Sequence, residues 1–164
     1  MTKLRELVPL ALSVGVLAGI WTQVSSELGW VTWVGFLSWA AYFAAGAGHD
    51  GLRRTVPATL AGAVVGWLIV ELSGVLSFPG GLALAVALGA FVMCVQAGWG
   101  VLGFVPGAFI GCSAYFGTAF DFWPTVLALV AGAVLGWASY WGGQWLGRGG
   151  RRPARTAEND LVEA

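Results

Sequence analysis

The chain has 164 residues, of which 58 % are hydrophobic and only 10 % charged, with eight Lys and Arg balanced by eight Asp and Glu. Soluble domains carry roughly 25 % charged residues, so a chain this poor in charge cannot clothe a soluble surface. The composition is that of an integral membrane protein, and it excludes nucleic acid as a partner, because the few bases flank apolar runs.

A spanning helix needs about 20 mostly apolar residues, rising about 1.5 Å each, to cross about 30 Å of hydrocarbon. Six stretches meet that length: residues 7–24, 29–47, 55–76, 80–97, 99–119 and 123–146. Helices are the default, since open sheet edges do not survive in lipid. The first run follows Lys3 and Arg5 but is read as a span and not as a cleaved leader, because the rest of the chain is equally hydrophobic. Residues 48–54, with His49, Asp50, Arg53 and Arg54, read as a solvated inner loop. Thr55 then caps the third helix, with Pro57 in its first turn. In the fifth segment Gly103, Gly107 and Gly111 recur at four-residue spacing around Pro106. Pro106 removes a backbone donor and disfavours helix at Val105, which predicts a kink or break there. Such a break serves either plain packing or a solute site. Pro124 sits just inside the start of the sixth segment. Residues 1–148 thus form one transmembrane domain, and the polar, Pro-containing tail 149–164 reads as disordered and cytosolic.

Threading the chain with its N-terminus in the cytoplasm puts Lys3, Arg5, Arg53, Arg54, Arg148, Arg151, Arg152 and Arg155 on one side. Those are all eight bases, while Glu27 and Asp121 fall in outer loops. This positive-inside pattern places both termini in the cytoplasm.

The chain also repeats itself. AGAVVGW at 61–67 returns as AGAVLGW at 131–137, 70 positions on, and AYF at 41–43 returns at 114–116, 73 positions on. Phe36 with Phe109 and Gln23 with Gln96 share the offset of 73. A shorter loop between the last two segments accounts for the slip. Halves of about 7–76 and 80–146 each hold three spans, an odd number, so the second half enters the membrane upside down. The expected fold is therefore an all-α, six-helix protein built as a 3+3 inverted repeat, a plan recurrent among transporters and channels.

Inversion gives each membrane half one glutamine and one Tyr-Phe pair. Gln23 and Gln96 either line a pathway or bond neighbouring helices, since an amide in lipid needs a partner. Gly15 with Gly19, Gly62 with Gly66 and Gly132 with Gly136 are small-residue pairs one turn apart, and they read as helix-packing ridges. Of ten tryptophans, Trp30, Trp33, Trp99, Trp123 and Trp145 lie near segment ends, as an interfacial belt requires. Trp21, Trp39, Trp67 and Trp137 lie deeper, either filling the core or lining a narrow path. Glu71 is the one acid well inside a predicted span, near its outer end, where it reaches interfacial water. Cys94 and Cys112 read as reduced space-fillers. With a single histidine, His49, no metal spacing or nucleophile–base pair can be assembled, so neither a cofactor nor an enzyme is expected.

WVGFLSWAAYFA at 33–44 and FVMCVQAGWGVLGFVPGAFIG at 91–111 resemble the bacterial inner-membrane proteins of domain-of-unknown-function family 1097. The resemblance covers nearly the whole chain up to the basic tail. It implies a small polytopic inner-membrane protein and brings neither an established activity nor a functional residue.

Two functions compete on these residues. One is a channel or facilitator for a small neutral polar solute, lined by some of Gln23, Tyr42, Glu71, Gln96, Pro106 and Tyr115. The other is a non-transporting assembly protein acting through its Gly-rich helices. Six short helices make a thin wall for a pore, so a homo-oligomer in the lipid bilayer is expected for the first.

Overall fold

A computed structural model describes residues 2–149 of the chain, with side chains described for 7–148. Arg151, Arg152, Arg155 and the tail expected to be disordered lie outside the described residues. Those described are all-helical: α1 (Thr2–Glu27), α2 (Thr32–Ala44), α3 (Gly48–Val75), α4 (Gly81–Val95), α5 (Val105–Gly117) and α6 (Phe122–Gly149), with two single 3₁₀ turns, Gln96–Gly98 and Gly100–Leu102, between α4 and α5. Four stretches are long and apolar enough to cross a membrane: Leu7–Glu27, Gly48–Val75, Gly81–Gly98 and Phe122–Arg148. The second and fifth segments are shorter as helices than their apolar runs. At 13 residues each, α2 and α5 span about 20 Å at the rise of an α-helix, short of the hydrocarbon thickness.

The cause of the shortening in segment five is local. Gly98, Gly100 and Gly103 make the stretch after α4 poor helix material, and Trp99 takes up an extended conformation between the 3₁₀ turns. Helix resumes at Val105, with Pro106 in the first turn, where its missing N–H is one that a helix start leaves unbonded anyway. Of the kink or break expected near Pro106, the chain takes the break, which precedes the proline and leaves it in the first turn of the helix that follows.

Two expectations about the third segment need correction. Residues 48–54 are not a loop, and Thr55 is not a cap: α3 begins at Gly48. The chain reverses within 45–47, using positive φ at Gly46, Ala47 and Gly48, and the polar stretch then winds at once into helix with Asp50 in its first turn, where a carboxylate complements the helix dipole. The same reversal occurs after α5. Ala45 N–H donates to Ala41 O, Gly46 to Phe43 O and Ala47 to Tyr42 O at 2.8, 3.1 and 3.1 Å. Thr118 donates to Ala114 O, Ala119 to Phe116 O and Phe120 to Tyr115 O at 3.0, 3.3 and 3.1 Å. Every pair of these bonds is related by 73 positions. The loop after α5 (118–121) is one residue longer than the loop after α2 (45–47), not shorter, and the slip to 70 has another source: α3 carries about one extra helical turn ahead of Ala61 compared with α6 ahead of Ala131.

Packing is reciprocal. α5 lies against α3, and α2 against α6; α4 flanks α3, and α1 flanks α6; α3 and α6 touch each other. A Cβ at Gly62 would overlap the Ala108 carbonyl, and one at Gly132 would overlap the Gly35 carbonyl. One turn on, the Tyr115 ring seats on Gly66 and the Tyr42 ring on Gly136, where an added Cβ would fall 3.1 and 2.7 Å from the respective Cδ1 atoms. Gly107 and Gly111 seat α5 against Ala58 and the Thr59 carbonyl of α3. The two heptamers are therefore matching docking ridges, that of α3 receiving the short helix α5 and that of α6 receiving the short helix α2. Gly15 and Gly19 do not act in this way: among the described residues no other helix comes within 4 Å of a Cβ at either, because α1 turns that face outward. Gly103 is a turn residue, close only to the Gly100 and Ala97 carbonyls.

Candidate functional site: polar groups inside the bundle

The charged side chains described, Glu27, Asp50, Arg53, Arg54, Glu71, Asp121 and Arg148, are all exposed. The interior is polar only through hydroxyl, amide and indole groups. Most are satisfied locally. Trp21 Nε1 donates to Thr32 O at 3.0 Å and Ser25 Oγ pairs with Thr32 Oγ1 at 2.7 Å, which fastens the end of α1 to the start of α2. Trp39 Nε1 donates to Ser139 Oγ at 3.1 Å, tying α2 to α6. Thr59 bonds back to the Thr55 carbonyl at 2.9 Å. Thr125 Oγ1 donates to Asp121 O and meets Thr118 Oγ1 at 2.6 Å.

A second group is not satisfied. Ser38 Oγ, Tyr42 OH, Thr55 Oγ1 and Gln96 Nε2 are buried without a hydrogen-bond partner, as are the indole nitrogens of Trp137 and Trp141. Ser38, Tyr42 and Thr55 are wholly buried and Gln96 is 3 % exposed. Tyr42 lies between α3 and α6, its ring against Gly51 and Gly136. Ser38 stands one turn back along α2, and Thr55 one turn on from Gly51. Comparison of the halves shows why Thr55 is unpaired: its counterpart Thr125 is bonded to Thr118, whose own counterpart is Ala45.

The residues expected to line a pathway are not all brought together. Tyr42, Tyr115 and Gln96 are inside. Gln23 is exposed on α1, where its amide donates to Glu27 Oε1 at 2.6 Å. Glu71 and Pro106 are exposed as well. The tryptophans divide similarly: Trp21 and Trp39 fill the core at 4 % exposure, whereas Trp67 is 42 % exposed. Ser38 and Thr55 escape sequence reading because isolated hydroxyls in apolar helices usually bond their own backbone. The cluster around His49 escapes it too. His49 heads α3 with its ring 6.0 Å from Trp137 and 5.3 Å from Trp141, a juxtaposition that needs the extra turn of α3. Both cysteines are free, Cys94 exposed and Cys112 buried.

Long apolar helices, a charge-free interior and an outer surface of Leu, Val, Phe and Trp side chains define an all-helical membrane protein. The chain belongs to the family described as "Protein of unknown function (DUF1097)", which it matches over residues 11–144. It is 38 % identical to the inner membrane protein YcdZ of Escherichia coli K12 over 159 residues, 94 % of each chain. The inner membrane protein YcdZ of Salmonella typhimurium is 38 % identical over 145 residues, covering 85 % of this chain and 89 % of the relative. The uncharacterized protein YahC of E. coli K12 is 32 % identical over 148 residues, covering 82 % and 88 %. No solved structure matches.

Proposed function

We propose that the protein is a passive pathway for a small, neutral polar solute across the bacterial inner membrane. The observation that carries this reading is the set of wholly buried, unpartnered hydroxyls of Ser38, Tyr42 and Thr55, joined by the Gln96 amide. A polar group held in a low-dielectric interior without a partner costs about 1–3 kcal/mol, and water or a permeating solute is the partner that removes this cost. Hydroxyl and amide groups both donate and accept, and the charged side chains described are all exposed rather than inside with them, so the chemistry favours neutral, hydrogen-bonding molecules over ions.

The architecture we infer is two inverted halves of three spans each. The recurrence of the 41–47 turn at 114–120 and the reciprocal seating of α2 on α6 and α5 on α3 support it. In this arrangement α2 and α5, with the non-helical residues beside them, are the short crossings whose ends open toward water. Both termini lie in the cytoplasm on the positive-inside pattern. The outward Gly15–Gly19 face of α1 favours a homo-oligomer, and it is also what an assembly protein without transport would present.

Proteoliposome swelling with urea, amides, polyols and water tests the pathway. The expected result is permeation above empty vesicles for at least one solute, reduced severalfold by Ser38→Ala with Thr55→Val. No permeation above background for any of them, with the protein shown to be folded, leaves the assembly reading in its place.

A further inference from the structure

We infer that the start of α3 is a binding site for a phosphate-type oxyanion, a site that adjoins the proposed solute pathway at Tyr42. Three observations converge there. First, Ala47 gives α3 no side-chain cap, so the first amides of a 28-residue helix lack acceptors and present its positive dipole end. Second, the Tyr42 hydroxyl is wholly buried and unpartnered, and its ring lies against Gly51 in the first turn of α3. Third, Trp137 and Trp141, one turn apart on α6, flank His49 with both indole N–H groups unpartnered. A buried indole N–H normally finds an acceptor, and none is supplied here. Arg53 and Arg54 follow, exposed, in the next turn. Among the described residues the carboxylate on this stretch is Asp50, exposed in the first turn of the same helix.

The inventory is one-sided. Helix amides, two indoles and two guanidiniums only donate, and a phenol and an imidazole can donate. A ligand that satisfies them together is all acceptor, which describes a phosphate group, free or on a lipid headgroup. The exposed His49 ring lies beside both indoles, 6.0 and 5.3 Å between ring centres, so a ligand at the indole N–H groups meets that ring as well. The equivalent turn of the other half has no such excess: at the start of α6, Thr118, Thr125 and Asp121 bond one another, and the nearest side-chain charge is the Asp121 carboxylate. The extra turn of α3, the main departure from the repeat, is what carries His49, Arg53 and Arg54 into place.

The test uses the full chain in detergent. Native mass spectrometry counts retained phosphatidylglycerol against phosphatidylcholine, and titration calorimetry measures inorganic phosphate against chloride. We expect one saturable phosphate-bearing ligand, bound about tenfold or more weakly by the Trp137→Phe, Trp141→Phe double variant, the scale of losing charge-assisted hydrogen bonds. Trp67→Phe, at the repeat-related position, should bind as the parent does. Retention of phosphatidylglycerol alone identifies the lipid as the source, and binding of inorganic phosphate alone identifies the free anion. Preference for neither, or parental affinity in the folded double variant, overturns the site. If the double variant unfolds early, Arg53→Gln with Arg54→Gln must show the same loss, and undiminished binding by it overturns the site equally. Solute permeation is read separately, so failure of either proposal leaves the other standing.

Discussion

Replacing Gly62 or Gly132 with alanine probes the reciprocal docking directly. Each added methyl would overlap a backbone carbonyl of the opposing short helix, Ala108 for Gly62 and Gly35 for Gly132. Backbone cannot swing aside as a side chain can, so the helix pair must separate along its whole contact. Overpacking of a tight interior costs about 1–3 kcal/mol, occasionally more, and for a chain of this size that corresponds to a fall in Tm of roughly 2–12 °C. Gly19→Ala is the matched control. It meets nothing within 4 Å, and exchanging Gly for Ala in a helix gains up to about 1 kcal/mol in propensity. Thermal unfolding in detergent, followed by near-UV circular dichroism, should therefore rank Gly19→Ala at or above the parent and the other two well below it. The two should also be destabilised by amounts within about twofold of each other, because the contacts are related by the repeat. If Gly62→Ala or Gly132→Ala unfolds with Gly19→Ala, the docking geometry is wrong.

Other outcomes follow from single contacts. Ser139→Ala removes the acceptor of the Trp39 indole N–H and should cost about 1–3 kcal/mol, read as a lower Tm; no change would mean that the indole finds another partner. Thr125→Val breaks the hydroxyl bonds to Thr118 and Asp121 and should destabilise by about 1 kcal/mol, whereas Thr55→Val breaks no protein bond and should affect permeation more than Tm. Glu71 is exposed, so Glu71→Gln should leave solute flux unchanged, and a tenfold drop would refute a neutral pathway. In a cysteine-free background, Arg53→Cys and Asp121→Cys should react with impermeant reagents from opposite faces of the membrane. Reaction from one common face would end the inverted arrangement.

The parts of this fold legible in the sequence are those where side-chain size alone decides. Glycines spaced one turn apart at 62, 66, 132 and 136 mark close approach wherever helices meet, and the AYF pairs set the offset at which those meetings recur. Reading failed where the decision is positional. Gly15 and Gly19 have the same spacing but lie on the outward face of α1, and no local pattern distinguishes the two faces of an apolar helix. The polar run 48–54 resembles a loop by hydropathy, yet the glycines at 46 and 48 complete the reversal early and leave it free to wind into helix. Gln23 and Gln96 match in sequence and part in structure, one bonded to Glu27 at the surface and the other enclosed at the end of α4. The donors around His49 come from α3 and α6, far apart along the chain, and only folding brings them together.

The pairing of α1 and α2 with α6 bears on how the chain is made. Domains are synthesised N-terminal end first, so the first two helices, fastened to each other and touching α3 and α5 through α2, lack their main partner until the last one is made. By contrast, α3, α4 and α5 can assemble as soon as they are inserted. A nascent chain stopped before residue 122 holds a packed trio and two helices without their main partner, and it is this interval that membrane quality control would see. Completion of α6 closes the whole bundle in a single step.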